Sequence, residues 1–144
     1  MESQERAERS AAAMWATDSA SQHLRMVLGH VAPGAVTVTM PVQEMMLNGH
    51  RICHGGYIFT LADTAFAFAC NTYNTLVVAQ ENTITYLSPG REGETLTATA
   101  SEVARTGRSG VYDVVVTGGD GRKVAVFRGL SRQITGQHFE ETEE

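Results

Sequence analysis

The chain predicts an α+β fold in which an antiparallel sheet wraps around one long buried helix, with a short helix at the N-terminus. Three observations carry this. Residues 55–71 (GGYIFTLADTAFAFACN) place Ile58, Leu61, Ala62, Ala65, Phe66, Ala69 and Cys70 at helical spacing. Phe59 and Phe68 lie off that stripe, so the helix is apolar nearly all round and belongs inside the molecule. The chain beyond it reads as strands joined by hairpin turns, which implies antiparallel pairing with helices and strands segregated.

Residues 4–16 (QERAERSAAAMWA) are rich in helix formers, and Ala11, Met14 and Trp15 give them a partial apolar face. An apolar patch at 23–28 stops at Gly29 and begins the first strand. Residues 35–42 (AVTVTMPV) follow Pro33-Gly34 and alternate apolar with polar side chains, the pattern of a half-buried strand. A loop at 43–54 carries the Asn48-Gly49 turn. After the long helix, residues 77–87 form one strand stopped by Ser88-Pro89-Gly90, and strands at 95–103, 110–117 and 124–134 complete the sheet. Thr106-Gly107 and Gly118-Gly119-Asp120-Gly121 are hairpin turns. The whole chain, 1–144, is expected to be a single domain, with residues 1–9 and 136–144 as flexible tails.

A chain of 144 residues buries roughly 68–70% of its unfolded surface and needs neither disulfide nor metal to hold a core. The net charge of -5 argues against a nucleic-acid surface. Cys53 and Cys70 form no CxxC pair and are expected to be reduced and packed. No apolar run is long enough to span a membrane, and the charged start MESQERAERS lacks a signal core. The expectation is a soluble, cytoplasmic protein.

Asp63 is the most informative residue for chemistry. A carboxylate inside an apolar helix is partnered, neutralised or functional, because burying it unpaired is costly. Just before the helix, His54-Gly55-Gly56 permits close backbone approach, and a helix N-terminus presents free N–H groups that suit a developing oxyanion. The bland alternative is a glycine pair that only makes a turn. Gly55 and Asp63 stand about 12 Å apart on one helix at ~1.5 Å per residue, too far to share one carbonyl carbon. A second copy could bring its Asp63 opposite Gly55. Asn48 can donate and accept hydrogen bonds, and so hold a water or a carbonyl, or it can simply build the turn. His50 and His54 lack a third metal ligand at useful spacing, so no metal site is expected. A Cys53–His54 nucleophilic pair is disfavoured because adjacent side chains seldom aim at each other. Arg108-Ser109-Gly110 reads equally as a phosphate-recognising turn or a solvated hairpin.

The stretch from Asn48-Gly49-His50 through Cys53-His54-Gly55-Gly56 to Leu61-Ala62-Asp63-Thr64-Ala65 resembles the hotdog-fold thioesterases, within them the phenylacetic-acid-degradation (PaaI) type. Ile84-Thr85-Tyr86-Leu87, Gly107-Arg108-Ser109-Gly110-Val111-Tyr112-Asp113-Val114 and Phe127-Arg128-Gly129 share that likeness, which covers about residues 10–135. The resemblance implies a hotdog fold, a homodimer with shared active sites and a homotetramer built from it. It also implies hydrolysis of phenylacetyl-CoA or hydroxyphenylacetyl-CoA, with no cofactor beyond the coenzyme A of the substrate. Gly55 would polarise the thioester carbonyl through its N–H. Asp63 would be general base or nucleophile, Asn48 would position water or substrate, and His54 would support the site. Gly56 and Thr64 would assist binding, and Arg108, Ser109 and Gly110 would lie near the CoA phosphates. The acyl pocket is expected to include Tyr57, Phe66 and residues 45–47. Alternatives are a non-catalytic acyl-CoA-binding hotdog protein and a medium-chain acyl-CoA thioesterase. A hotdog hydratase is disfavoured, since no His follows Asp63 in the helix.

Overall fold

The structure, a computed structural model, describes residues 1–142. Two helices open the chain: α1 (Ser3–Trp15) and the short α2 (Ser19–His23). Strands β1 (Val27–Ala32) and β2 (Ala35–Pro41) follow, then a 3₁₀ turn (Glu44–Met46) and the long helix α3 (Gly55–Cys70). Four strands finish the fold: β3 (Val77–Tyr86), β4 (Thr95–Thr106), β5 (Ser109–Thr117) and β6 (Lys123–Gln133). They form one six-stranded sheet in the order β1-β2-β4-β5-β6-β3, every neighbour antiparallel. This is the hotdog arrangement, with α3 packed across β2 to β6.

The alternation in the sequence decides which face meets α3. Val36, Val38 and Met40 of β2, Leu96, Ala98 and Ala100 of β4, and Tyr112, Val114 and Val116 of β5 are all buried. Leu61, Ala62, Ala65, Phe66 and Ala69 of α3 are fully buried against them. Gly129 of β6 has no side chain because the Phe66 ring occupies the space, 2.6 Å from where a Cβ would stand. The helix ends where the Asn71 side chain bonds Ala67 O and both Val77 N and Val77 O, turning the chain into β3.

One sequence expectation is corrected. The patch at 23–28 straddles the end of α2 and only the start of β1, because Asp18 caps a helical turn through Ser21. Both ends of the chain make contacts with the rest of the fold. Helix α1 starts at Ser3 and buries Ala7, while Arg6 pairs with Glu141. The His138 ring bonds Asn71 Oδ1, and Arg9 lies over the Phe139 ring at 4.2 Å. Residues 143 and 144 fall outside the described residues.

Strand β3 is an edge strand, paired only with β6. A bulge between Ala79 and Glu81 interrupts its register. An extra residue there moves every later side chain to the opposite face. Asn82, Ile84 and Tyr86 therefore turn toward α3, and Thr83 and Thr85 turn out.

Candidate active site

The N-terminus of α3 is held by the loop before it. His54 N donates to Met46 O at 2.7 Å and Cys53 N to Gly90 O at 2.8 Å. His54 is the N-cap, and its ring does what a Ser or Asp usually does there: Nδ1 accepts from Gly56 N at 2.9 Å. That bond leaves the neutral ring's proton on Nε2. Gly55 N, the first helical N–H, finds no acceptor among the described residues. A free donor at a helix start is ready for an oxyanion. Asn48 Oδ1 accepts from His50 N and Ile52 N, so the Asn48 carbonyl builds the turn. Its amide donors are not used among the described residues.

Beside Gly55 lies a groove walled by Asn48, Ile52, Ile58, Tyr86, Leu87 and Pro89. It is mostly apolar, with Asn48, Gly55 and Ser88 among its polar points, which suits a hydrophobic acyl group. The side chains expected in the acyl pocket lie elsewhere. Phe66 and Met46 are fully buried in the core, and Phe66 stacks against Tyr112 and Phe127. Tyr57 packs edge-on against His54.

Asp63 sits two turns further along α3, at its exposed edge beside β3. Asn82 Nδ2 donates to Asp63 Oδ1 at 3.0 Å, leaving Oδ2 without a donor among the described residues. Burial raises the Asp63 carboxyl above its ordinary value, and the Asn82 bond opposes that rise. A carboxylate made more basic is a better proton acceptor. Asn82 Oδ1 is itself buried and unpartnered within the single chain. Sequence reasoning missed Asn82, because the bulge that aims it at Asp63 breaks the alternation.

The raised carboxyl also carries a stability consequence. A carboxyl with a raised folded value favours folding while protonated and loses that contribution as pH rises through the folded value. Charged Asp63 therefore costs stability at neutral pH. Asp63→Asn keeps an acceptor for Asn82 and is expected to melt higher than the wild type at pH 7. The gap should shrink as pH falls into the ordinary carboxylate range. Melting curves across that pH series check it; an Asp63→Asn chain that melts at or below wild type at pH 7 contradicts it.

Other predicted residues are not brought to this site within one chain. Thr64 is buried, and its hydroxyl meets Ser21 Oγ at 3.2 Å, tying α3 to α2. Arg108 and Ser109 lie at the far end of α3, in a cleft with Cys70, Arg105 and Gln133. Gly110 is there for packing, since a Cβ would meet Ser131 Oγ at 2.5 Å. The thiols are poor nucleophiles: burial pushes Cys53 up to about 11 and Cys70 up to about 12.

Comparison with known proteins decides the family. Residues 50–125, more than half the chain and including His54, Gly55, Asp63, Asn82 and every groove residue but Asn48, match the thioesterase superfamily model. The acyl-coenzyme A thioesterase PaaI of Escherichia coli is 44% identical over 124 residues, 86% of this chain and 89% of that protein. The chain belongs to the thioesterase superfamily, on its PaaI-type branch. The solved structure of the E. coli PaaI protein, from the phenylacetic acid degradation operon, superposes with a TM-score of 0.93 at 42% identity. It covers 94% of this chain and 99% of that one. A Streptococcus mutans protein solved with acetyl-CoA bound matches at 30% identity and TM-score 0.74, over 78% of this chain and 90% of that one. Acyl-CoA thioester hydrolysis is accordingly the reaction class of this PaaI-type chain. Among the described residues, no helix is long and apolar enough to cross a membrane.

Proposed function

We propose that the chain hydrolyses arylacetyl-CoA thioesters, phenylacetyl-CoA or its ring-hydroxylated relatives, in active sites shared between two copies. The observation that carries this is the separation of complementary groups on one helix. Gly55 offers a free N–H at the start of α3, and Asp63 offers a basic carboxylate about 12 Å along it at ~1.5 Å per residue. The unpaired edge of β3 supplies the means of joining them, because an exposed edge pairs readily with another chain. Tyr86 touches Gly55 and Asn82 touches Asp63, both from the helix-facing side of β3. An antiparallel β3–β3 pairing with its two-fold near Ile84 sets Asn82 of one strand opposite Tyr86 of the other. Asp63 of one copy then faces Gly55, Asn48 and His54 of its partner.

In that site the thioester oxygen lies on Gly55 N–H and the acyl group in the apolar groove. Asp63 takes a proton from water as the water oxygen bonds to the carbonyl carbon. The oxyanion collapses, the C–S bond breaks, and the proton passes from Asp63 to the sulfur, giving the free acid and the CoA thiol. No cofactor enters; CoA is part of the substrate. Asn82 holds one carboxylate oxygen and frees the other for water, which supports Asp63 as base rather than nucleophile. Arg108 and Ser109 lie near the Val77 end of β3, beyond Asp63, and suit the CoA phosphates.

The aryl preference rests on the E. coli relative's operon and on the mostly apolar groove, with the Tyr86 ring in its wall. A thiol-release assay across phenylacetyl-, hydroxyphenylacetyl-, benzoyl- and medium-chain acyl-CoA tests it. Highest kcat/KM is expected on the first two; a best substrate among the medium chains contradicts the aryl preference, and no thiol release from any contradicts catalysis.

A further inference from the structure

We infer that Tyr86 is a positioning residue for the oxyanion donor, holding the backbone of Gly55 from the second strand edge of the site. This rests on the reading that Gly55 N–H receives the thioester oxygen. The Tyr86 hydroxyl donates to Gly55 O at 2.9 Å. The same peptide unit ends in Gly56 N–H, which donates to His54 Nδ1 at 2.9 Å. One peptide plane is therefore gripped at both ends, by a phenol at its oxygen and an imidazole at its nitrogen. The preceding peptide unit, which contains the catalytic N–H, has its own oxygen held by Tyr57 N at 3.0 Å. Its N–H is the one group left free.

Such a grip answers a specific weakness. Two consecutive glycines at a helix start make a soft backbone, and an unrestrained first turn frays. An oxyanion hole works through donors already in place when charge develops, so a wandering N–H loses much of its value. The Tyr86 ring also explains why residue 55 is glycine: a Cβ there would stand 3.0 Å from the ring's Cζ. Burial raises the Tyr86 phenol above its ordinary value, so the hydroxyl remains a donor at neutral pH. Tyr86 also walls the groove, so a merely structural role as a pocket wall must be separated from the grip.

Tyr86→Phe separates them, since it keeps the ring and removes only the hydroxyl. The grip requires kcat to fall about 2- to 13-fold, the scale of one hydrogen bond, with KM within about twofold of wild type. Amide hydrogen exchange at Gly55 and Gly56, read by NMR on the assembled protein, should speed up by about tenfold in the same variant. Unchanged kcat with a raised KM makes Tyr86 a wall only and overturns the inference; so does unchanged exchange at both glycines. The Gly55→Pro variant keeps the two readings apart. If Gly55→Pro turns over like wild type, the assignment of Gly55 itself fails. If Gly55→Pro is dead while Tyr86→Phe has wild-type kcat, only the grip fails.

Discussion

Replacing Asp63 with alanine is expected to lower kcat by roughly 10²–10⁴-fold while the protein still binds CoA. That range is what a positioned general base contributes. Asp63 is suited to the task by opposing influences: burial raises its basicity, and Asn82 orients one of its oxygens. The Cys70 thiol cannot replace it, being pushed up to about 12 by burial. Steady-state kinetics with thiol release measure the loss, and equilibrium binding of CoA shows that the fold and the nucleotide site survive. A non-catalytic acyl-CoA binder would show no turnover to lose. Near-full turnover of Asp63→Ala on every acyl-CoA would remove the carboxylate from the mechanism.

Gly55→Pro is expected to cost about 10²–10³-fold in kcat, the magnitude seen when one oxyanion donor is deleted. Proline deletes the N–H while its backbone geometry fits this position. Gly55 is the first residue of α3, where proline's fixed φ fits a helix start. The residue before it, His54, has φ -58 and ψ 133, a conformation that proline accepts in its predecessor. The added ring must still find room beside Tyr86, and Gly55→Ala controls for that, since alanine adds a Cβ but keeps the N–H. The account expects alanine to lose clearly less than proline. Equal losses in the two variants would assign the effect to crowding against Tyr86 and not to the missing donor.

The parts of this site differ in how visible they were in the sequence. Helix α3 was legible because its apolar residues recur at helical spacing on all sides, and Asp63 stood out because it interrupts them. His54-Gly55-Gly56 was legible as a helix start. That the His ring would itself cap the helix was not, because imidazole is an unusual cap. Asn82 and Tyr86 were hidden by the bulge in β3. Val77 and Ile84 are both partly buried yet lie an odd number of residues apart, which a regular strand cannot place on one face. Thr64 illustrates the opposite problem: adjacency to Asp63 in sequence suggested a shared role, but neighbouring helical positions point in different directions. Its hydroxyl goes to Ser21 instead. The tail at 138–141 read as polar and solvated because its anchors, Arg6, Asn71 and Asn74, are remote in sequence.

The central claim is that one active site needs two chains, and mixing two inactive variants tests it most directly. Asp63→Ala and Gly55→Pro, co-expressed with different tags, should form mixed dimers in about half the population. In each mixed dimer one site carries both lesions and the other carries neither. The account expects the mixture to recover about a quarter of wild-type specific activity, concentrated in the doubly tagged fraction. Activity that stays at the level of the two parents, in a fraction shown to contain both chains, would mean that each site is built within a single chain.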